Sequence, residues 1–140
     1  MPNILVVDDD KDFLNLIEMG LTSAGHIVYP ARSGAEAMRA LQFSKFHVAV
    51  VAMCMPGMNG LDIITMHREQ VHDLPFLVIT GSDDTDLIHA AMKFKDVEIL
   101  FKPVGPLEVT LAAERMIRQK AQVDPAWVKS ERLRLTEVNG

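Results

Sequence analysis

The stretch NILVVDDD, residues 3–10, is an apolar run of strand length that stops abruptly on three acids. A continuous apolar run suits a strand buried on both faces, as in a parallel sheet covered by helices. The same unit recurs as HIVY (26–29), HVAVV (47–51), FLVIT (76–80) and VEILF (97–101), each followed by polar or turn residues. Between these runs the apolar residues take helical spacing: Phe13, Ile17 and Leu21; Ala37, Met38 and Leu41; Leu61 and Ile64; Leu87, Ala91 and Phe94; Val109, Ala113, Met116 and Ile117. Ser33 with Glu36 makes a capping-box pattern, Gly25 can end the first helix, and Pro106 can sit in the first turn of the last.

Alternating strand and helix predict an α/β fold, a parallel sheet with right-handed crossovers and helices on both faces. Ligands of such sheets bind beyond the carboxyl ends of the strands, near the point where strand order reverses. The residues that follow each apolar run are therefore the candidate site.

Composition narrows the function classes. A chain of 140 residues that is 49% hydrophobic and 24% charged fits one globular domain. Its formal net charge of -5 argues against direct nucleic-acid contact and against an anionic membrane surface. The single cysteine, Cys54, cannot form an internal disulfide, and no stretch stays apolar for the ~20 residues that a membrane-spanning helix needs. The acids at 8–10 arrive too early for a signal segment, which points to a reducing cytoplasm. Past Ala121 the pattern changes to QVDPAWVKSERLRLTEVNG, with Lys129, Arg132 and Arg134 making it more basic than the body. The division expected is a domain over 1–121 and a tail, linker or extra short helix over 122–140.

Three strand ends carry chemistry. Asp8, Asp9 and Asp10 are offset in sequence only by Lys11. Converging carboxylates raise one another's pKa unless a divalent metal or a lysine neutralises them, and an oxygen-rich site of this kind suits Mg²⁺. The alternative is that Asp10 caps the first helix while Asp8 and Asp9 are solvated. After the fourth run, Thr80 followed by Gly81 and Ser82 offers a hydroxyl for a phosphoryl oxygen, although threonine is also an ordinary strand residue. After the fifth, Lys102 before Pro103 can pair with the acids or with a phosphoryl group, or be a plain surface lysine. The third run, in VVAMCMPGMNG (50–60), ends instead on Ala52, where a reactive side chain would be expected.

VVDDD after the first run, MPGMNG after the third, TG after the fourth and FKP after the fifth resemble the receiver domain of bacterial two-component response regulators, over residues 3 to about 120. The resemblance implies a flavodoxin-like, doubly wound, five-stranded parallel sheet of order 2-1-3-4-5. It also implies a domain that takes a phosphoryl group from a histidine kinase or phosphotransfer protein onto an aspartate, with Mg²⁺. By position, Asp8 and Asp9 match the acidic pair, with Asp9 the direct metal ligand and Asp8 acting through water. The backbone carbonyl of Cys54 matches the third metal contact, Thr80 the switch hydroxyl, and Lys102 the phosphoryl-binding lysine, in a Lys102 to Pro103 bond that is often cis in the family. A downstream protein partner, and a homodimer through the fourth helix, fifth strand and fifth helix, follow from the same resemblance.

Two positions depart from the family pattern. Ala52 stands where the phosphoacceptor aspartate belongs, and a methyl group has no nucleophilic oxygen. Weak Mg²⁺ binding and a Lys102 free to pair with the acids are the expected consequences. Ile99 stands where an aromatic switch residue is common, which puts that residue's rotation in question. A natural pseudo-receiver working through protein contacts and a phosphorylation-null form of an ordinary receiver both fit Ala52, and neither is an enzyme.

A different class, a haloacid-dehalogenase-like phosphatase with Asp8 as nucleophile, fits the D-x-D of residues 8–10 and the later Asp83 and Asp84. Against it stand Asp12, where that motif continues with Thr or Val, and the lack of room for a cap. Cys54 reads as a small apolar filler, and His26, His47, His67, His72 and His89 lack metal-ligand spacing. The nine methionines read as core, with Met53, Met55 and Met58 as a contact surface beside the site. Asp83, Asp84 and Asp86 read as the cap and first turn of the fourth helix.

Overall fold

The computed structural model describes residues 1–70, 73–81 and 85–123. Strands β1 (Asn3–Val7), β2 (Ile27–Ala31), β3 (Val48–Ala52), β4 (Phe76–Thr80) and β5 (Val97–Phe101) alternate with helices α1 (Lys11–Ser23), α2 (Gly34–Phe43), α3 (Gly60–Gln70), α4 (Thr85–Met92) and α5 (Pro106–Val123). All strand pairs are parallel and the order is β2-β1-β3-β4-β5, the flavodoxin-like arrangement expected. Order reverses between β1 and β3, which places the crevice beyond their carboxyl ends.

The sheet separates two cores. Even-numbered residues of β1 and β3, such as Ile4, Val6, Val48 and Val50, with Leu77 and Ile79 of β4, meet Leu14, Ile17 and Leu21 of α1 and Val109, Ala113 and Met116 of α5. Odd-numbered ones, such as Leu5, Val7, Ala49 and Val51, meet Ala37 and Ala40 of α2, Ile63 and Ile64 of α3, and Ile88 and Ala91 of α4. Fully buried Ile17 and Leu21 each contribute about 1.5–3 kcal/mol by leaving water. β3 and β4 are buried at every position, as continuous apolar runs require. β2 and β5 are not, because they are edge strands with one neighbour each and open outer sides.

Local chemistry sets the helix ends. The Asp10 carboxylate accepts from the Asp12 and Phe13 N–H groups at 3.0 and 3.2 Å, fixing the start of α1. Gly25, at φ +95, closes that helix as the His26 N–H donates to Leu21 O and the Gly25 N–H to Thr22 O. The Ser33 hydroxyl accepts from the Glu36 N–H at 3.1 Å, while the Glu36 carboxylate reaches one residue beyond the cap, to the Arg32 N–H at 2.8 Å. Asn59 and Asp62 exchange side-chain to backbone bonds at 2.8 and 3.0 Å at the start of α3, a box absent from the sequence reading. Pro106 opens α5 as expected.

Several expectations need correction. β2 runs to Ala31 rather than stopping at Tyr29, because an edge strand tolerates Pro30, which lacks a ladder N–H. β3 begins and ends one residue later than HVAVV, taking in Ala52. α4 ends at Met92, so Phe94 packs on the core from the following turn. Cys54 is exposed and fills nothing, because Met53 takes the buried position beside it. Met53 is fully buried and so cannot be part of a contact surface, whereas Met55 and Met58 are half-buried, packing onto the core with part of each open; Met1, Met19, Met66 and Met92 are exposed. Asp86 lies in the first turn of α4, whereas Ser82, Asp83, Asp84, His72 and the basic tail from Asp124 lie outside the described residues. Among the described residues, no helix is long and apolar enough to cross a membrane.

Candidate functional site at the strand carboxyl ends

The ladder continues one residue past β1 and β5. The Asp8 N–H donates to Ala31 O at 3.1 Å and the Lys102 N–H to Thr80 O at 2.8 Å, which holds both residues at the rim of the sheet. Val7 is paired with Val51 and Ala52 with Ile79, so Asp8, Ala52, Thr80 and Lys102 share one edge. Alternation assigns their sides. Asp8, Ala52 and Lys102 continue the even set that faces α1 and α5, and Ile99 belongs with the core on the other face, beneath α4.

Asp8 is 3% exposed, which removes the solvated alternative for it, whereas Asp9 is exposed and Asp10 is the helix cap. One Asp8 oxygen accepts from the Asp10 N–H at 2.9 Å, and the other lies 3.9 Å from Lys102 Nζ. Burial pushes the Asp8 carboxyl above the usual carboxylate range. The Asp10 N–H and then Lys102 pull it back in part, and the charges of Asp9 and Asp10 push it further up. Lys102 faces Asp8, although its charge is outweighed by desolvation.

Lys102 has three neighbours here. Its ammonium stands 4.4 Å from the centre of the Phe13 ring, its stem runs past Gly81, and the Asp8 carboxylate faces its tip. The helical spacing of Phe13 with Ile17 and Leu21 marks it only as a core position of α1. An aromatic residue in the first turn of the helix that follows the acidic run is the signal that would have found it. The Lys102–Pro103 bond is cis. Thr80 is buried, and Ile99 is half-buried against the α4 face.

Ala52 is 5% exposed, and its carbonyl presses on the start of α3, since a Cβ added to Gly60 would stand 2.6 Å from Ala52 O. Among the described residues no group of three or more His, Cys, Asp or Glu gathers where it could hold a metal ion. Two carboxylates and a backbone carbonyl still match the sparse donor set that Mg²⁺ accepts when it keeps several waters. The chemistry of these oxygen donors is compatible with a hard cation such as Mg²⁺.

Far from this edge lies a second polar cluster that the sequence did not reveal. Arg68, only 9% exposed, donates to Lys95 O at 2.8 Å and lies over the Phe76 ring, while buried Lys120 meets Asp96 at 3.3 Å. Burial lowers the Arg68 pKa, against the raising charges of Asp96 and Asp73. These contacts tie α3 and α5 to the turn before β5.

Known proteins resemble the chain over this same region. It is 31% identical over 121 residues, 86% of its length, to the phosphoglycerate transport system transcriptional regulatory protein PgtA of Salmonella typhimurium. It spans only 29 to 53% of the length of the curated relatives it matches. A solved structure described as adenylate cyclase from Rhodopirellula baltica is 32% identical, with a TM-score of 0.81, covering 95% of this chain and 97% of that one. A response regulator protein from Thermotoga maritima, solved in complex with Mg²⁺ and BeF, is 22% identical with a TM-score of 0.74, covering 83% of this chain and 99% of that one. That last likeness is one of fold alone. The phosphatase alternative gains no support from these relatives. With its model matched by residues 4–114, the response regulator receiver domain is the family to which this chain belongs.

Proposed function

We propose that this receiver domain signals without aspartyl phosphorylation at residue 52, acting through protein contacts, either as a natural pseudo-receiver or as a phosphorylation-null form. The observation that carries the reading is Ala52 at the rim of β3, flanked by buried Asp8 on the neighbouring strand, buried Thr80 and Lys102. The site has acid, hydroxyl and lysine but no nucleophile at its centre. An alanine side chain cannot form an acyl phosphate.

Asp9 and the Cys54 carbonyl would hold Mg²⁺, weakly for want of a carboxylate at residue 52, with Asp8 acting through water. When bound, the ion neutralises the acidic pocket. Thr80 and Ile99 form the switch side toward α4, and Lys102 is the group that would meet a phosphoryl oxygen. In a phosphorylated relative, complete reversal of a two-state equilibrium from 1:99 to 99:1 requires about 5.5 kcal/mol of differential binding. Here that energy comes from a partner or from the resting population.

The reading extends to partners and place. A histidine kinase or phosphotransfer protein docks beside the site, where Leu16 and Met19 of α1 are exposed. A downstream protein or a second copy uses the α4, β5 and α5 face, where Phe101 and Leu111 are open to solvent. The domain occupies residues 1–121 and the tail 122–140, in the cytoplasm, without direct nucleic-acid contact by this chain.

Incubation with a small-molecule phosphodonor and Mg²⁺ should add no phosphate to the chain by intact mass, whereas Ala52→Asp should gain one Mg²⁺-dependent, base-labile phosphate. A stoichiometric phosphoadduct on the parent chain would sink the proposal.

A further inference from the structure

We infer that Phe13 is a positioning residue that seats Lys102 against Asp8 as the resident cation of the acidic pocket, so that Mg²⁺ must displace a built-in ammonium. The inference rests on the receiver reading of the site and adds a residue that this reading does not include. Three observations converge. The Lys102 ammonium lies 4.4 Å from the centre of the Phe13 ring, which is cation–π range. The same nitrogen lies 3.9 Å from the Asp8 carboxylate, at the outer limit of an ion pair. The stem lies along Gly81, where an added Cβ would meet Lys102 Cβ and Cδ at 3.6 Å.

The geometry explains why the ring is needed. At 3.9 Å, with a side chain 37% exposed, the ion pair alone is too solvated to fix a flexible lysine. The ring supplies a second attraction at 4.4 Å, and the helix anchors that ring. Phe13 N–H is bonded to the Asp10 cap at 3.2 Å, so the ring sits on the same turn that leaves the acidic run. An aspartate at residue 52 would offer the ammonium a competing partner. With Ala52 there, Asp8 and Phe13 hold it.

Two measurements on the whole chain test the seat. By NMR, the ε-methylene protons of Lys102 should be shifted upfield by the ring current of Phe13. Phe13→Leu should abolish that shift and Phe13→Tyr should keep it. By calorimetric Mg²⁺ titration, Phe13→Leu should tighten binding about two- to fivefold, the range expected for loss of one exposed cation–π contact. Lys102→Met should tighten it more, on the order of tenfold, and Phe13→Tyr should match the parent. An unshifted Lys102 signal in the parent, or Lys102→Met binding Mg²⁺ no more tightly than the parent, would overturn the inference. Phosphorylation of Ala52→Asp separates the two failures: if it occurs while the Phe13 and Lys102 variants leave Mg²⁺ affinity unchanged, only the seat is wrong.

Discussion

Replacing Asp8 by asparagine should make this protein more stable at neutral pH, although it removes an ion pair. At 3.9 Å from Lys102 Nζ the gross attraction is about 4 kcal/mol for an effective dielectric of ~20. Lys102 is 37% exposed, so solvent and salt reduce this to about 1 kcal/mol. Against it stands the desolvation of a carboxylate that is 3% exposed, a cost of several kcal/mol for an ion moved fully out of water. Burial is the largest influence on Asp8 and raises its pKa, so the cost exceeds the gain. Asparagine retains an oxygen for the Asp10 N–H, and Lys102 returns to water. The expected gain is about 1 kcal/mol, or roughly 3–5 °C in Tm for a domain of this size.

The pH dependence follows from the same imbalance. The folded pKa lies above the unfolded value of about 3.9, so between the two the folded chain holds the extra proton and stability falls as pH rises. The penalty is absent below the unfolded pKa and complete above the folded one. Urea denaturation of Asp8→Asn and the parent, from pH 7.5 down to the acid limit at which both fold, should show an advantage that is constant above the folded pKa and shrinks below it toward pH 4. An asparagine variant less stable than the parent at pH 7.5, or an advantage that does not change with pH, would refute the reasoning.

Three further substitutions probe how the rim and a helix start are built. Gly60→Ala puts a Cβ 2.6 Å from Ala52 O, a backbone atom that cannot swing aside, and should cost about 2 kcal/mol or more in urea denaturation; Gly81→Ala, with nothing nearer than 3.6 Å, should stay within about 0.5 kcal/mol. Ser33→Ala removes the hydroxyl that accepts from the Glu36 N–H and should cost about 1 kcal/mol, read from the same denaturation curves.

The fold was legible because its elements announce themselves locally. β1, β4 and β5 match their apolar runs residue for residue, and the caps at Asp10, Ser33, Gly25 and Pro106 depend on residue types with known preferences. What escaped was set by neighbours distant in sequence. The apolar run of β2 ends at Tyr29, yet the strand continues through Pro30 to Ala31 because β2 is an edge. Arg68 and Lys120 gave no sign of burial, because the Lys95 carbonyl and Asp96 that receive them lie some 25 residues away.

The candidate site was legible for a topological reason. A parallel sheet brings all strand carboxyl ends to one rim, so a list of residues following the apolar runs is already a list of neighbours. Periodicity of two then divides that list in a way the motifs do not. Asp8, Ala52 and Lys102 continue the side covered by α1 and α5, whereas Ile99 packs with the core beneath α4. The two sides meet at residue 52, whose carbonyl also abuts Gly60 at the start of α3. Lys102 stands beside Asp8 and Phe13 on the α1 side, and a methyl group at residue 52 carries no acyl phosphate that could draw Thr80 and Ile99 toward it. On the reading proposed above, a signal through this domain enters by direct contact with a helix face, and surface complementarity rather than phosphoryl chemistry at residue 52 determines its response.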